Sequence, residues 1–180
     1  MEHKHAQKQG YVQVYAGNGK GKSTAAAGLT FRASGRNWQI LFIQFLKSGN
    51  SAELRIMEKL DNIKLVTGQK VNKFTFHMTE EELATAKAEN QERLEMARSE
   101  AANYDMVVLD EALGAIAAGV IEEESLIDFM KHKPKHTELV ITGRGPSDAV
   151  IEATDYYTEC CERKHPYQSF GLNARPGIEF

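Results

Sequence analysis

A glycine- and lysine-rich segment near the start of the chain has the composition of a phosphate-binding loop. The segment Ala16-Gly-Asn-Gly-Lys-Gly-Lys-Ser23 fits the pattern G-x-x-x-x-G-K-[ST], with Ala16 in the place of the first glycine. Glycines permit the tight, partly left-handed backbone path that turns N–H groups towards a chain of phosphates. The sequence therefore predicts a binding site for a nucleoside triphosphate. The residues expected to bind it are Gly17, Asn18, Gly19, Lys20, Gly21, Lys22, Ser23 and Thr24.

Three side chains of this loop have distinct expected roles. Lys22 would neutralise the terminal phosphates, and Lys20 adds a second positive charge near the same anion. The Ser23 hydroxyl would ligate Mg²⁺, and the N-terminus of the following helix adds its partial positive charge. The alternative is a glycine-rich turn that only connects a strand to a helix. The predicted strand before the segment and helix after it favour the phosphate loop.

Two adjacent acidic residues follow an apolar run in the middle of the chain. The run Val107–Leu109 is followed directly by Asp110 and Glu111. An apolar strand that ends in acids places them at the edge where α/β sheets bind ligands. One of the two carboxylates can hold Mg²⁺ directly or through water, and the spacing does not distinguish between them. The alternative is a strand end that is acidic without a function.

A third basic residue, Arg144, lies in the glycine-rich turn Thr142-Gly-Arg-Gly145. The turn follows another apolar strand, so Arg144 is expected at the same edge of the sheet, where its guanidinium can contact phosphate. The alternative is an arginine that is solvated or paired with Asp148.

Apolar strands alternate with helical segments along the chain. The apolar runs lack strict alternation with polar residues, which indicates a parallel sheet covered on both faces. The predicted strands are Tyr11–Ala16, Gln39–Phe45, Ile63–Thr67, Met106–Leu109, Glu138–Thr142 and Tyr156–Thr158. The predicted helical regions are Ser23–Ser34, Ala52–Leu60, a long helix from the capping box of Thr79 and Glu82 to about Tyr104, a region that follows Glu111 and ends near His132, and a helix that ends at Ala153. The predicted fold class is α/β, with a single doubly wound, mainly parallel sheet of the P-loop NTPase type.

Length and composition are those of one ordinary domain. The chain has 180 residues, of which 42% are hydrophobic and 26% charged, and these values argue against disorder. We expect residues 1–9 to form a mobile tail and residues 10–180 to form the nucleotide-binding domain. A net charge of −3 argues against binding to nucleic acid or to an anionic membrane surface. The apolar runs are far shorter than the ~20 residues of a membrane span. The chain opens without a secretion signal, and the neighbouring Cys160 and Cys161 suggest reduced thiols, so a cytoplasmic location is expected.

A series of short motifs, in the same order along the chain, resembles the ATP:corrinoid adenosyltransferase family. The motifs are Gly17–Thr24, Phe74–Phe76, Leu109–Glu111, Thr142–Gly145, Lys164–Tyr167 and Gly177–Phe180. The resemblance implies transfer of the 5′-deoxyadenosyl group of ATP to Co(I) of a reduced corrinoid, with release of triphosphate. It also implies that ATP lies in the phosphate loop in the reverse sense to most P-loop enzymes, which leaves the ribose 5′ carbon open to cobalt.

The resemblance assigns roles to particular residues. Phe74 and Phe76 stand where the family has an aromatic pair that displaces the lower axial ligand of the corrinoid, with Phe76 at a position that is often Trp. The implied catalytic residues are Lys22, Phe74, Phe76 and Glu111, and the implied Mg²⁺ ligands are Ser23 with Glu111 or Asp110. Because Co(I) is itself a strong nucleophile, catalysis needs only positioning and stabilisation of the departing triphosphate. The ordinary alternative for the two phenylalanines is packing in the core or in a loop.

A nucleotide fold of this size leaves little surface to enclose a corrinoid. We therefore expect the loop Gly68–Met78 and a second subunit to cover the corrinoid, which implies a homodimer. A flavodoxin-type protein is the expected reductant. Two other functions stay open at this point: a P-loop kinase or hydrolase that acts on the γ-phosphate, and a nucleotide-dependent switch protein.

Overall fold

Six parallel strands form one sheet in the computed structural model, which describes residues 6–68, 73 and 75–179. The strands are β1 Val12–Ala16, β2 Ile40–Gln44, β3 Ile63–Val66, β4 Met106–Asp110, β5 Glu138–Thr142 and β6 Tyr156–Glu159. Their order across the sheet is β3-β2-β4-β5-β1-β6, and every neighbouring pair is parallel. The carboxyl ends of all six strands therefore meet at one edge, and the predicted α/β fold is confirmed.

Helices cover both faces of this sheet. The helices of the described residues are α1 Lys22–Ser34, α2 Leu54–Met57, α3 Glu80–Glu100, α4 Ala112–Ala117, α5 Glu123–His132, α6 Asp148–Glu152 and α7 Pro166–Phe170, with short 3₁₀ turns at Thr75–His77 and Ala101–Asn103. Of these, α1 to α6 contribute buried residues to the faces of the sheet. The predicted capping box is present, because Thr79 and Glu82 bond each other's backbone N–H groups at the start of α3. The region predicted as helical after Glu111 consists of two helices, which are separated at Gly119, whose φ is 69°.

Alternate residues of the central strands pack into two separate apolar layers. One face contributes Leu41, Ile43, Val107, Leu109, Leu139 and Ile141, packed with residues of α3, α4 and α5. The opposite face contributes Ile40, Phe42, Met106, Val108 and Val140, packed with residues of α1 and α2. Because both faces are buried, β2, β4 and β5 consist of buried residues throughout. Each large apolar side chain buried in this way stabilises the fold by ~1.5–3 kcal/mol.

The last strand lies at one edge of the sheet, and the N-terminal segment contacts residues just before β4 and β5. All four residues of β6 are exposed, and β6 pairs with β1 alone. In the described part of the N-terminal segment, the backbone N–H of Ala6 donates to Asp105 Oδ1 over 2.8 Å, and Gln7 Nε2 donates to the carbonyl of His136 over 3.1 Å. Within residues 6–68, 73 and 75–179, the helices are all too short or too polar to span a membrane.

Candidate nucleotide-binding and active site

A cleft of about 890 Å³ opens at the carboxyl edge of the sheet, beside the loop that joins β1 to α1. Its lining includes seven of the residues predicted for the site: Lys20, Gly21, Lys22, Ser23, Thr24, Glu111 and Arg144. Further walls come from Lys47, from the segment 51–53 and from the C-terminal residues 177–179. The fold therefore brings together residues that are more than 100 positions apart in the sequence.

The backbone of the loop is fixed by contact with the segment that follows β6. Gly17 has φ 110°, and a Cβ at this position would lie 2.5 Å from the carbonyl oxygen of Cys160. The N–H of Gly19 donates to that same oxygen over 2.6 Å. Asn18 Oδ1 accepts from the backbone N–H of Glu162 over 3.0 Å. These three predicted residues thus shape the loop from outside the cleft, and only glycine fits the backbone at Gly17.

Lys22 and Ser23 begin helix α1 inside the cleft. Gly21, with φ 109°, turns the chain into the helix. The Lys22 side chain is buried, and its Nζ donates to the carbonyl of Gly19 over 2.8 Å. A lysine on the loop's own backbone, next to the N-terminus of a 13-residue helix, gives this end of the cleft a positive potential suited to phosphate.

Asp110 lies beneath the cleft and is saturated by hydrogen bonds. Its side chain is 1% exposed. Oδ1 accepts from Thr142 Oγ1 over 2.8 Å. Oδ2 accepts from Gln44 Nε2 over 3.0 Å and from Lys47 Nζ over 2.8 Å. Burial alone would raise the pKa of Asp110, but the charge of Lys47 and the hydrogen bonds from Lys47, Gln44 and Ser23 outweigh burial, so the pKa is lowered.

Lys47 is a site residue that the sequence analysis missed. It lies three positions after the end of β2 and lines the cleft. Its Nζ contacts both Asp110 Oδ2 and, over 2.9 Å, the hydroxyl of Ser23. A lysine just after a buried strand that ends in a buried glutamine, Gln44, was the available signal, since such ends meet at the ligand-binding edge.

Glu111 is the more accessible of the two predicted acids. It has a left-handed backbone with φ 64°, and its N–H donates to Thr142 Oγ1 over 2.9 Å. Its side chain packs over Gly114 in the first turn of α4 and lines the cleft. A left-handed backbone is uncommon for a residue other than glycine, and the hydrogen bond to Thr142 holds Glu111 in this conformation.

The donors of the cleft fit Mg²⁺ bound together with a nucleotide. Ser23 and Glu111 both line the cleft and offer hard oxygen ligands. No group of three or more His, Cys, Asp or Glu side chains suited to a metal occurs among the described residues. Mg²⁺ commonly takes one or two protein oxygens and completes its shell with substrate phosphates and water. The site therefore fits a metal that depends on phosphate ligands.

Arg144 reaches the cleft from the turn after β5. Gly143 has φ 146°, and a Cβ there would lie 2.6 Å from the Cβ of Leu113, so the turn requires glycine at this position. The Arg144 side chain is exposed and lines the cleft. Its predicted alternative partner, Asp148, does not form an ion pair with it among the pairs found in the described residues.

The C-terminal residues close one side of the cleft by ion pairing. Lys20 Nζ lies 2.7 Å from Glu179 Oε1. Arg175 donates to the same carboxylate from its guanidinium and from its backbone N–H. The hydrogen bonds from Arg175 and Lys20 lower the pKa of Glu179 to about 2. The carboxylate thus contacts a lysine that the sequence assigns to phosphate.

Of the predicted aromatic pair, the structure describes only Phe76. Phe76, in the 3₁₀ turn Thr75–His77, is 76% exposed and is not among the residues that line the cleft. Its ring centroid lies 4.4 Å from that of His77. The other member of the pair, Phe74, lies outside the described residues.

Arg93 connects the beginning of the Gly68–Met78 loop to the site. Its guanidinium is buried and donates to the carbonyl of Gln44 over 2.8 Å and to the carbonyl of Gly68. Glu89 pairs with the same guanidinium over 2.8 Å. Thr67 also donates to Gln44 Oε1. The start of the loop is therefore tied to the hydrogen-bond network that surrounds Asp110.

Comparisons with known proteins find relatives that match nearly the whole chain. The family model of the ATP:corrinoid adenosyltransferases BtuR/CobO/CobP matches residues 8–180. The chain is 30% identical over 177 residues to a corrinoid adenosyltransferase of Pseudomonas aeruginosa, covering 96% of this chain and 84% of that protein. It is 31% identical over 179 residues to the corrinoid adenosyltransferase CobA of Salmonella typhimurium, covering 97% of this chain and 87% of that protein.

A solved structure shares the fold at low sequence identity. EssC (ATPases 2 and 3) from Geobacillus thermodenitrificans superposes with a TM-score of 0.51 at 13% identity, over 94% of this chain and 36% of that one. This likeness supports the P-loop NTPase type of fold, and the family match supplies the activity. The chain belongs to the ATP:corrinoid adenosyltransferase family and is an enzyme of that family.

Proposed function

We propose that this enzyme transfers the 5′-deoxyadenosyl group of ATP to Co(I) of a reduced corrinoid and releases triphosphate. The observation that carries the proposal is the position of Lys22, Ser23, Glu111 and Arg144 around one cleft, in a chain whose family acts on ATP and corrinoids. The geometry suits a triphosphate that is bound firmly at the phosphate loop and departs as one unit.

The proposed reaction is a displacement at the 5′ carbon of ATP. The electron pair of Co(I) forms a bond to C5′, while the bond from C5′ to the triphosphate oxygen breaks and leaves its electrons on that oxygen. The nucleophile is the corrinoid itself, so the protein needs to supply neither a nucleophile nor a base. Its contribution is to hold C5′ in line with cobalt and to stabilise the developing charge on the triphosphate.

The cations of the cleft are suited to stabilising that charge. Lys22 lies at the end of the loop, and Lys20 and Arg144 line the same cleft, so these three side chains can place positive charge near the phosphates. Ser23 and Glu111 would hold Mg²⁺, which, when bound, adds positive charge at the phosphates. Asp110 would add its negative charge next to the metal from below the cleft.

The corrinoid would lie beyond the nucleotide, against the Gly68–Met78 loop. The exposed ring of Phe76 is available for contact with the lower face of a corrinoid, where an apolar side chain would displace the axial ligand. For Phe74 the same role stays a prediction from sequence. We further propose that a second copy of the chain completes the corrinoid site, that a flavodoxin-type protein supplies the electron, and that the enzyme works in the cytoplasm.

The products of one reaction test the proposal. Enzyme, Mg²⁺, ATP and a corrinoid reduced chemically to Co(I) should give one triphosphate for each adenosylated corrinoid. Lys22→Met should bind ATP at least ~100-fold more weakly and lose the reaction, because it removes a charge that contacts phosphate. Formation of ADP or orthophosphate would instead indicate γ-phosphoryl transfer, and tight ATP binding without any product would indicate a switch protein.

A further inference from the structure

The ammonium of Lys47 lies between two oxygens that the sequence assigns to a metal. Its Nζ is 2.9 Å from Ser23 Oγ and 2.8 Å from Asp110 Oδ2. We call these two oxygens the Ser23–Asp110 cation site. A lysine ammonium is a compact positive charge with three donors, so it satisfies the same hard oxygen atoms that a divalent cation would take.

The backbone before Lys47 is bent in a way that directs the side chain to this position. Leu46 has φ 55°, which is strained for a residue with a branched side chain. The preceding residue, Phe45, is fully buried, and its N–H donates to the carbonyl of Asp110 over 2.9 Å. The chain is therefore held on both sides of the bend, and the strain is retained where it brings a positive charge onto a buried carboxylate.

The charge balance explains why a cation must be present. Asp110 is buried, and a buried carboxylate without a positive partner costs several kcal/mol in stability. Lys47 side-chain exposure is 31%, so the ammonium has a route to the cleft that Asp110 lacks. Because the Lys47 side chain reaches the cleft, its ammonium can be exchanged for another cation that arrives there.

We propose that Lys47 is a positioning residue that occupies the Ser23–Asp110 cation site until a metal–nucleotide complex replaces it. The proposal rests on the proposed nucleotide site and adds an order of events to it. A divalent cation that binds alone must displace the Lys47 ammonium, which then loses its contacts with Ser23 and Asp110 and gains no other anionic partner. A metal that arrives with triphosphate brings anionic oxygens that the displaced ammonium can contact. The enzyme would therefore bind divalent metal weakly on its own and firmly with nucleotide.

Mn²⁺ binding to the nucleotide-free protein tests this assignment, measured by electron paramagnetic resonance of free Mn²⁺ at pH 7. Lys47→Met removes the competing charge and should bind Mn²⁺ at least ~10-fold more tightly than the unmodified protein, because closely spaced cations repel strongly near a protein surface. Lys47→Arg keeps the charge and should show no such gain. Lys64→Met is the matched control, since Lys64 also pairs with a carboxylate, Glu100, at 2.7 Å but outside the cleft.

The outcomes separate this role from a merely structural ion pair. Equal Mn²⁺ affinity of the unmodified protein and Lys47→Met, or an equal gain in Lys47→Arg, would overturn the proposal. If Lys47→Met does not fold alone, the proposal predicts that millimolar Mn²⁺ restores its circular dichroism spectrum, and failure of that rescue would also overturn it. These experiments contain neither ATP nor corrinoid, so their failure is distinct from failure of the proposed reaction.

Discussion

Asp110 gives the sharpest test of how the site is held together. Asp110→Asn keeps the shape of the side chain but removes its negative charge. Its amide can place the oxygen towards Gln44 and Lys47 and the NH2 group towards the Thr142 hydroxyl, so three hydrogen bonds to a charged group become hydrogen bonds to a neutral one. The substitution thus isolates charge and hydrogen bonding from cavity formation.

The size of the effect follows from the burial of the carboxylate. A hydrogen bond to a charged group is worth ~1.5–3 kcal/mol and one to a neutral group ~0.5–1.5 kcal/mol, so weakening three of them costs ~3–4.5 kcal/mol. Lys47 recovers part of this loss because its ammonium can turn into the cleft and be hydrated. We therefore expect the free energy of unfolding to fall by ~3 kcal/mol, and Tm to fall by ~6–12 °C in a domain of this size.

Urea unfolding at several pH values measures the effect, with fluorescence of the single tryptophan, Trp38, as the probe. Asp128→Asn is the control, because Asp128 pairs at the surface with Arg98 and should cost less than ~1 kcal/mol. Since the folded pKa of Asp110 lies below its ordinary value of 3.8, its stabilisation is complete above that value and is lost as the pH falls through the folded pKa.

The difference between the unmodified protein and Asp110→Asn should consequently be constant from pH 7 to about pH 4.5 and shrink below 3.8. A difference under ~1 kcal/mol at pH 7 would refute the assigned network. If the unmodified protein instead became more stable relative to the variant as the pH falls from 7 to 4.5, the pKa of Asp110 would be raised in the folded state, not lowered.

Three further substitutions test separate parts of the site. Gly17→Ala should lower the free energy of unfolding by ~2–4 kcal/mol and weaken ATP binding, because its Cβ meets a backbone carbonyl at 2.5 Å. The control is Gly28→Ala, which has open space around it in α1 and should instead stabilise the protein by up to ~1 kcal/mol. Equal effects of the two variants in urea unfolding would contradict the loop geometry. Glu179→Gln should tighten ATP binding by ~2- to 5-fold in calorimetry, because it frees Lys20 from an exposed ion pair; weaker binding would mean that the pair assists the nucleotide. Phe76→Ala should reduce the rate with Co(II) corrinoid plus reductant more than the rate with preformed Co(I), and equal losses would exclude a role in displacing the axial ligand.

Contiguous patterns predicted the parts of the structure that depend on neighbours in sequence. The phosphate loop between β1 and α1 could be predicted because its glycines, lysines and hydroxyl are adjacent along the chain. The capping box of Thr79 and Glu82 is equally local. The parallel sheet could be predicted because strands buried on both faces have continuous apolar sequences.

Contacts between distant residues could not be predicted in this way. Lys47 is 24 residues from Ser23 and 63 from Asp110. The pairing of β2 with β4 brings it to Asp110, and the strand order β2-β4-β5-β1 brings it to Ser23 after β1. No spacing rule encodes the strand order that creates this contact. For the same reason the sequence did not reveal that Glu179 reaches Lys20, 159 residues away.

The two neighbouring acids show how burial resolves what spacing leaves open. Asp110 ends β4 and is enclosed by Thr142, Gln44 and Lys47. Glu111 takes a left-handed conformation and turns its side chain into the cleft. Their different access to the cleft follows from tertiary packing, and it favours Glu111 as the acid that a metal–nucleotide complex would meet first.

The fate of the 5′ carbon of ATP distinguishes transfer of the adenosyl group to cobalt from transfer of a phosphoryl group. ATP labelled with ¹³C at C5′ should be incubated with the enzyme, Mg²⁺ and a corrinoid in the Co(I) state, and the products followed by ¹³C NMR. Adenosyl transfer predicts that the labelled C5′ becomes bonded to cobalt while unlabelled triphosphate appears in equal amount. Label that stays on ADP, with phosphate or a phosphorylated acceptor as the other product, would contradict it.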